Sequence, residues 1–261
     1  MVRADLHVHT TNSDGQLTLE TLPAAARDAG VSTVAITDHD RINPELDGPE
    51  TTIDGITVIH GIELRVEYED FRVDLLGYGV HDPDVLAGLE AELQANRIER
   101  ARNIASLVEE EIGVSLDIAF KPGVGRPHIA RAIAESDHHY GYRDAFAHLI
   151  GDGGPCYVSR NIPPFDRGRK MLMDACTLVG LAHPLRYPNP EAALSLTSEL
   201  DAVELPYPYG KEVDTSPVEE VIEKENLVVT GGSDAHEETL GIAGLDADQY
   251  EAFRMAFDGG V

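Results

Sequence analysis

Short apolar segments alternate with segments of helical periodicity in the first part of the chain. Residues 2–9 and 31–37 are apolar enough to form buried strands, and the apolar positions between Thr18 and Ala29 fall on one face of a helix. Thr18 is a suitable N-cap for this helix, and Gly30 is suited to end it. A strand–helix–strand order predicts that the two strands pair in parallel. Further strands are predicted at residues 56–60, 71–78, 177–182, 202–205 and 227–231.

Between about residues 82 and 165 the strand pattern stops. Residues 84–112 form a long helical pattern rich in Ala, Leu, Glu and Arg, residues 127–150 predict more helix, and residues 151–164 contain the Gly and Pro of a loop. Alternation of strands and helices resumes after this region. The later helices are predicted at residues 168–176, 191–199, 217–225 and 246–257.

Repeated strand–helix units in one chain predict either a barrel or a doubly wound sheet. We favour the barrel, because polar residues follow the predicted strands and α/β barrels carry their active sites at the C-terminal ends of their strands. The expected organisation is a discontinuous barrel domain, residues 1–81 and 166–261, with a mostly helical insertion, residues 82–165.

Candidate metal ligands recur in five short groups at the ends of predicted strands. The groups are Asp5–His9, Thr37–Asp40, Gly61–Glu63, Ala182–Pro184 and Ser233–His236. One such group would mean little, but a site for several ions needs His, Asp and Glu from several strands. The pattern therefore predicts a metal-dependent hydrolase.

Spacing adds to this prediction. His7 and His9 are two residues apart on a strand and share one face, so both imidazoles can reach one ion. Glu63 follows Gly61 and could bridge two ions, and Asp74 lies in an apolar run where a lone buried charge would be costly, so it needs a partner such as a metal. The full candidate set is His7, His9, Asp14, His39, Glu63, Asp74, His183, Asp234 and His236.

The other histidines show no comparable context and are expected to be structural or solvated: His60, His81, His138, His139 and His148. Mixed carboxylates and imidazoles suit Mn²⁺, Zn²⁺ or Fe²⁺. The two cysteines, Cys156 and Cys176, are not in a CxxC spacing, so we expect reduced structural thiols.

The charge of the chain limits its partners. The formal net charge is −27, from 47 acidic and 20 basic residues. A surface this acidic repels itself at low salt, and salt screens the repulsion, so we expect a halophilic protein from a high-salt cytoplasm. Strong non-specific nucleic-acid binding needs a basic surface and is not expected. A nucleotide held locally by metal ions and a few arginines remains compatible with the charge, which neither requires nor forbids a dimer.

No apolar stretch reaches the roughly 18 residues that a membrane span needs. The N-terminus runs directly into Asp5-Leu6-His7, without the pattern of a signal peptide. We therefore expect a soluble, cytoplasmic protein that has no membrane partner.

The motifs DLHVHT, SDG, TDHD, GIE, GRPH, AHP and GGSDAH, in this order, resemble those of the PHP (polymerase and histidinol phosphatase) family. The resemblance spans nearly the whole chain and is strongest for the stand-alone phosphoesterases of the family. It implies an α/β fold, a distorted (β/α)7 barrel of the PHP type that carries a mostly helical insertion. It also implies a site for three metal ions.

The resemblance distributes the candidate ligands among three ions. The first ion would be held by His7, His9, Glu63 and Asp234, the second by Asp14, His39 and His236, and the third by Glu63, Asp74 and His183. The family usually has His where this chain has Asp74. A carboxylate is a harder, charged ligand and should favour Mn²⁺ or Mg²⁺ over Zn²⁺. We therefore expect two to three divalent ions.

The segment Val124–His128 resembles the phosphate-contacting GRPH motif of the family, which implies that Arg126 and His128 bind substrate and assist catalysis. Arg suits bidentate phosphate recognition, and Pro127 at a helix start leaves backbone N–H groups available to an anion. The alternative is an ordinary helix start with a surface Arg.

The expected activity is hydrolysis of phosphomonoesters by a metal-activated water. The expected substrates are small nucleotides, of the 5′-monophosphate or 3′,5′-bisphosphate type, or oligonucleotide 5′ ends. One alternative is a histidinol-phosphate phosphatase of the same family, and another is a non-catalytic metal-binding accessory protein. An amidohydrolase is disfavoured, because it would typically use a carboxylated Lys and no Lys lies near a ligand group.

Overall fold

The computed structural model describes residues 1–259. Its strands belong to one sheet of eight strands. The strands are β1 Ala4–Val8, β2 Thr33–Ile36, β3 Glu50–Ile53, β4 Ile56–Tyr68, β5 Phe71–Val80, β6 Cys176–Leu181, β7 Ala202–Glu204 and β8 Val228–Thr230.

The sheet follows the order β1-β2-β4-β5-β6-β7-β8, and β3 pairs with β4 outside this path. β1 and β2 are parallel, as predicted, whereas β4–β5 and β5–β6 are antiparallel. The segment after β8 returns to β1, where the N–H of Leu6 donates to the carbonyl of Gly231 at 3.0 Å and that of His9 donates to Ala235 at 2.9 Å. These bonds join the two ends of the path, so the sheet curls. The predicted α/β fold of the distorted-barrel type is confirmed.

The α-helices are α1 Leu22–Ala29, α2 Pro83–Ile112, α3 Arg126–Glu135, α4 Tyr142–Ala145, α5 Phe165–Ala175, α6 Pro190–Ser195, α7 Ser216–Glu225 and α8 Ala247–Gly259. The chain divides into two compact units, one formed by Met1–Gly88 and the residues from Pro163 onward, the other by Leu89–Ile162. The domain limits expected from the sequence, at 82 and 165, stay a prediction. Among residues 1–259, every helix is too short or too polar to cross a membrane.

Two predictions about local structure were wrong. Helix α1 begins at Leu22 with Thr21 as its N-cap residue, not at Thr18. The reason is Pro23, which fits only the first turn of a helix because its ring would clash with the preceding turn anywhere later. The third predicted strand does not end at His60, because β4 continues to Tyr68 and forms a hairpin with β5.

The first unit packs apolar side chains on both sides of the curled sheet. Leu22 and Ala26 of α1 join Val34 and Ile36 of β2 in one buried cluster. A second cluster collects the apolar side chains of the strands with those of α8: Leu6, Ala35, Ile59, Leu76, Tyr78, Leu178, Phe253 and Phe257. The second unit has a core of its own, formed by Ile104, Val108, Ile129, Ile133, Leu149 and Ile150. Because the strands are buried on both sides, polar residues inside them, such as Glu63 of β4 and Asp74 of β5, need polar partners.

Gly232 is the point of closest approach between the returning segment and β1. A Cβ at this position would collide with the backbone nitrogen and the Cβ of His7. Only Gly lets the chain after β8 lie against β1 at this distance, so Gly232 fixes how the segment of Asp234 and His236 faces the segment of His7 and His9.

We predict that Gly232→Ala lowers the free energy of unfolding by about 1–3 kcal/mol, because β1 must move to accommodate the methyl group. Chemical denaturation in molar KCl would measure this loss. Gly88→Ala is the matched control, because Gly88 is an exposed position of α2 where an added Cβ meets nothing within 4 Å. It should raise stability by up to about 1 kcal/mol. Equal stability of Gly232→Ala and the wild type would contradict this account of the strand contact.

Candidate metal centre

The nine candidate ligands come from the first compact unit, and the structure brings their side chains together at one end of the sheet. The pairing of β2 with β4 continues beyond the end of β2, where His39 lies opposite Glu63 of β4 and the N–H of Asp40 donates to the carbonyl of Glu63 at 2.8 Å. The pairing of Val8 with Ala235 brings in the segment after β8. Three groups of potential ligands result, each with donor atoms within 4.8 Å of one another.

The first group contains His7, His9 and Glu63, all of them buried. The Nε2 atom of His7 lies 3.5 Å from Oε1 of Glu63 and 3.5 Å from Oδ1 of Asp234. The Nε2 atom of His9 lies 3.1 Å from the same Asp234 oxygen and 3.5 Å from Oε2 of Glu63. Two imidazole nitrogens and two carboxylates therefore face a common point.

The second group contains His9, Asp14, His39 and His236. The Nε2 atoms of His236 and His39 lie 3.4 and 3.9 Å from Oδ1 of Asp14. The ring centroids of His9 and His236 are 4.1 Å apart. His9 belongs to both the first and the second group, which the sequence did not indicate.

The third group contains Glu63, Asp74 and His183. The Nε2 atom of His183 lies 3.1 Å from Oε1 of Glu63 and 3.7 Å from Oδ2 of Asp74. The sequence predicted that the buried Asp74 needs a partner. The structure provides one from the protein itself, because the guanidinium of Arg65 donates to both carboxylate oxygens at 2.6 Å.

Glu204 contacts two of the candidate ligands and was not predicted from the sequence. It is fully buried at the end of β7, where Oε1 lies 3.1 Å from Nδ1 of His7 and Oε2 accepts the N–H of His183 at 2.7 Å. An ionised carboxylate can only accept hydrogen bonds. Glu204 therefore keeps the proton of His7 on Nδ1, and the lone pair of Nε2 is available to an ion. Its position after the apolar Ala202-Val203 is the same strand-end pattern that identified the other groups.

Asp234 is held by two further residues that were not predicted. Arg186 and the hydroxyl of Tyr207 donate to its Oδ2 atom at 2.9 and 2.7 Å. This arrangement leaves Oδ1 directed at His7 and His9. Oδ2 of Asp234 thus anchors the side chain, and Oδ1 stays available to the ligand group.

The residues around His39 fix the neighbouring loops. Nδ1 of His39 lies 2.6 Å from Oε2 of Glu63. Asp38 accepts hydrogen bonds from the hydroxyls of Thr10 and Ser13, both at 2.6 Å, and so fixes the loop that carries Asp14. Asp40 accepts the backbone N–H of Arg65 at 3.1 Å.

Backbone strain is concentrated at these groups. Asp40, His183 and Asp234 adopt left-handed conformations, with φ of 54°, 30° and 50°. Non-glycine residues rarely occupy this region, and the surrounding structure must compensate for its cost. The bonds to Glu204 and Arg186 supply such compensation at His183 and Asp234.

The electrostatics of the cluster favour cations. Burial alone would lower the pKa of His7, but the carboxylates of Glu204, Asp234 and Glu63 raise this pKa well above its usual value. Burial and the imidazoles of His236 and His39 lower the pKa of His9 to about 4. Although burial opposes it, the neighbouring imidazoles hold the pKa of Glu63 well below its usual range. Glu63 is thus ionised, and its negative charge attracts cations.

The first group fits a divalent metal ion. The Nε2 atom of His7 is buried and, within residues 1–259, has no hydrogen-bond partner. A buried polar atom without a partner is costly, and a metal ion would satisfy it. The same atom faces the carboxylates of Glu63 and Asp234, and mixed N and O ligands suit Mn²⁺, Zn²⁺ or Fe²⁺.

Arg126 and His128 belong to the second compact unit, in the first turn of α3. Nδ1 of His128 accepts the N–H of Gly125 at 3.2 Å and thereby caps the helix. Arg126 donates to Asp152 at 2.6 Å and to the carbonyl of Ile150 at 3.2 Å. Their role toward a substrate stays a prediction.

We predict that Glu204→Gln weakens metal binding by about 10–100-fold, because the neutral amide no longer holds the His7 tautomer by a charged contact. Titration calorimetry with Mn²⁺ would measure the dissociation constant. Glu199→Gln is the matched control, since Glu199 is exposed and pairs with Arg169. Unchanged metal affinity in a folded Glu204→Gln variant would rule out this positioning role.

This chain is similar to several known proteins. The 3′,5′-nucleoside bisphosphate phosphatase of Chromobacterium violaceum is 29% identical over 72% of this chain and 68% of its own length. The 5′-3′ exoribonuclease Rnm of Escherichia coli is 30% identical over 70% of this chain and 66% of its own length. This chain thus spans about two thirds of the length of these curated relatives.

A solved structure from Bifidobacterium adolescentis matches the fold with a TM-score of 0.79, at 24% identity, over 100% of this chain and 97% of that one. The family model for the PHP domain matches residues 5–154, which is more than half of the chain. This protein therefore belongs to the PHP domain family.

Proposed function

We propose that this PHP enzyme, a metal-dependent phosphoesterase, hydrolyses phosphomonoesters of small nucleotides, of the 5′-monophosphate or 3′,5′-bisphosphate type. The substrate class is supported by the 3′,5′-nucleoside bisphosphate phosphatase of Chromobacterium violaceum, which is 29% identical. Histidinol phosphate, the alternative substrate of the same family, has no comparable support.

The observation that carries the proposal is the sharing of ligands between neighbouring groups. His9 belongs to the first and second groups, and Glu63 to the first and third. Ions in the first and second groups would lie close together, since His9 is within reach of both, and closely spaced ions are the arrangement that phosphoryl-transfer sites with several metals use. An isolated structural metal site would have no need of shared ligands.

Bound divalent ions would supply a nucleophilic water of lowered pKa and would neutralise charge on the phosphoryl oxygens. The protein residues prepare the site for this chemistry. Glu204 holds His7, and Arg186 with Tyr207 holds Asp234, so that the ligand atoms are positioned before substrate arrives. Asp38 fixes the loop of Asp14 in the same way.

Arg126 and His128 are proposed to bind the phosphate and to stabilise the charge that develops on it. Arg126 pairs with Asp152 at 2.6 Å but also lies among other arginines, since the charges of Arg126, Arg160 and Arg97 all act on Arg100 of the same unit. Burial and these three neighbours lower the pKa of Arg100 to about 10. A cluster of arginines in a chain of net charge −27 concentrates the positive charge that an anionic substrate needs.

Oligonucleotide 5′ ends are a second candidate substrate, favoured by the relatives named 5′-3′ exoribonuclease, Rnm of Escherichia coli among them. The strongly negative chain disfavours a long nucleic acid, since binding along many phosphates requires a basic surface. A short 5′ end contacts only the site itself. We therefore place mononucleotides first and short oligonucleotides second.

The test is phosphate release from nucleoside monophosphates, a 3′,5′-bisphosphate, a 5′-phosphorylated oligonucleotide and histidinol phosphate, with Mn²⁺ in molar KCl. We expect EDTA-sensitive turnover that is highest on a nucleotide. Asp14→Ala and Arg126→Ala should each lower kcat/KM at least about a hundredfold by removing a ligand or a charge contact.

Arg143→Ala is the matched control for Arg126→Ala, because Arg143 is exposed in the same unit, and it should retain full activity. Turnover of histidinol phosphate alone would replace the nucleotide proposal with that alternative. Folded, metal-loaded protein without turnover on any substrate would support a metal-binding accessory protein instead.

A further inference from the structure

Arg65 and Asp74 form a bidentate ion pair inside the third ligand group. The two residues lie opposite each other in the β4–β5 hairpin. The Nε and Nη2 atoms of Arg65 donate to Oδ1 and Oδ2 of Asp74, both at 2.6 Å. Parallel hydrogen bonds between a guanidinium and a carboxylate are among the strongest side-chain contacts in proteins.

The backbone around this pair is fixed as well. The N–H of Asp74 donates to the hydroxyl of Tyr187 at 2.8 Å, and that hydroxyl donates to the carbonyl of Ala182 at 3.0 Å. The N–H of Arg65 donates to Asp40 at 3.1 Å. Asp74 is 1% exposed, so its carboxylate cannot turn away from Arg65 into solvent. The ion pair is therefore a fixed part of the site.

Geometry alone would allow an ion in the third group, because donor atoms of Glu63, Asp74 and His183 lie within 4.8 Å of one another. The charges of Asp74 and Arg65 argue against an ion in this group. Asp74 is the only carboxylate of the group that is not shared with the first group, and its charge is already balanced by Arg65. A divalent ion on Oδ2 would also lie beside the guanidinium, and like charges at such a distance repel each other beside a buried carboxylate, although the Arg65 side chain itself is partly exposed.

We propose that this protein binds two divalent ions and that the guanidinium of Arg65 takes the place of a third. The two ions would use the first and second groups, with Glu63, Asp14 and Asp234 as the carboxylate ligands. Asp74 then anchors Arg65 and is not a metal ligand. This inference rests on the metal centre of the proposed function but not on the substrate.

The test is the metal content of the full-length protein. The protein would be incubated with excess Mn²⁺ in molar KCl, desalted and measured by inductively coupled plasma mass spectrometry against protein concentration. We expect two ions per chain in the wild type. Three ions per chain would overturn the proposal, and fewer than two would also contradict the metal centre on which it rests.

Substitutions of Arg65 test whether its charge excludes the third ion. Arg65→Met removes the charge, leaves Asp74 without its partner and should raise the content to three ions per chain. Arg65→Lys keeps the positive charge and should stay at two. The double variant with Arg65→Met and Asp74→Asn is the matched control, because it removes both charges and should also stay at two.

Two ions in a folded Arg65→Met variant would show that Arg65 does not exclude the third, and would overturn the proposal. If circular dichroism shows that Arg65→Met does not fold, the wild-type content decides alone. Activity is a separate readout. Two ions without turnover on nucleotides would refute the proposed function and leave this inference standing.

Discussion

The mutual repulsion of buried carboxylates is the constraint on which this site depends. Asp14, Glu63, Asp74 and Asp234 converge at one end of the curled sheet, and Glu63 and Asp74 are each 1% exposed. Water cannot screen them there, so positive charge must come from the protein or from bound ions. Arg65 pairs with Asp74 and Arg186 with Asp234, whereas Glu63 is surrounded by imidazoles. A bound metal ion can supply this positive charge in place of protons on the imidazoles, which would then serve as its ligands.

The fold provides the rigidity that such a site needs. The candidate ligands lie within or shortly after buried strands, and the loops that carry several of them are tied by the carboxylates of Asp5 and Asp38. Asp5 accepts the N–H groups of Ser233 and Gly241 at 2.9 and 2.8 Å and so joins β1 to the loop of Asp234. Asp38 does the same for the loop of Asp14. Backbone that is fixed in this way can tolerate the left-handed conformations of His183 and Asp234.

The candidate ligands could be found in the sequence because each lies next to the apolar run that positions it. His7 and His9 share a strand face, His39 and His183 come shortly after strands, and Glu63 lies in β4 beside an apolar run, so local pattern was sufficient. The parallel pairing of β1 and β2 was predictable for the same reason. Their grouping around particular ions came from the family resemblance, since spacing within one segment says nothing about which segments meet.

The contacts that tune the site could not be predicted, because they depend on the register of distant segments. The pairing of Arg65 with Asp74 requires the β4–β5 hairpin, and the sequence analysis ended that strand at His60, before Arg65. The contacts of Arg186 and Tyr207 with Asp234 join three separate loops. Glu204 was recognisable in principle, but one carboxylate at the end of a three-residue strand is a weak signal by itself.

An acidic protein can still bind an anionic substrate if its positive charges act at contact distance. At molar salt the Debye length is about 3 Å, so the net charge of −27 no longer repels a phosphate from afar, and attraction over long distances is lost as well. Only cations that touch the phosphate remain effective under these conditions. In the proposed function, bound ions and the arginines around Arg100 would supply cations of this kind. An overall acidic surface and a local phosphate site are therefore compatible, and the salt that stabilises the first does not abolish the second.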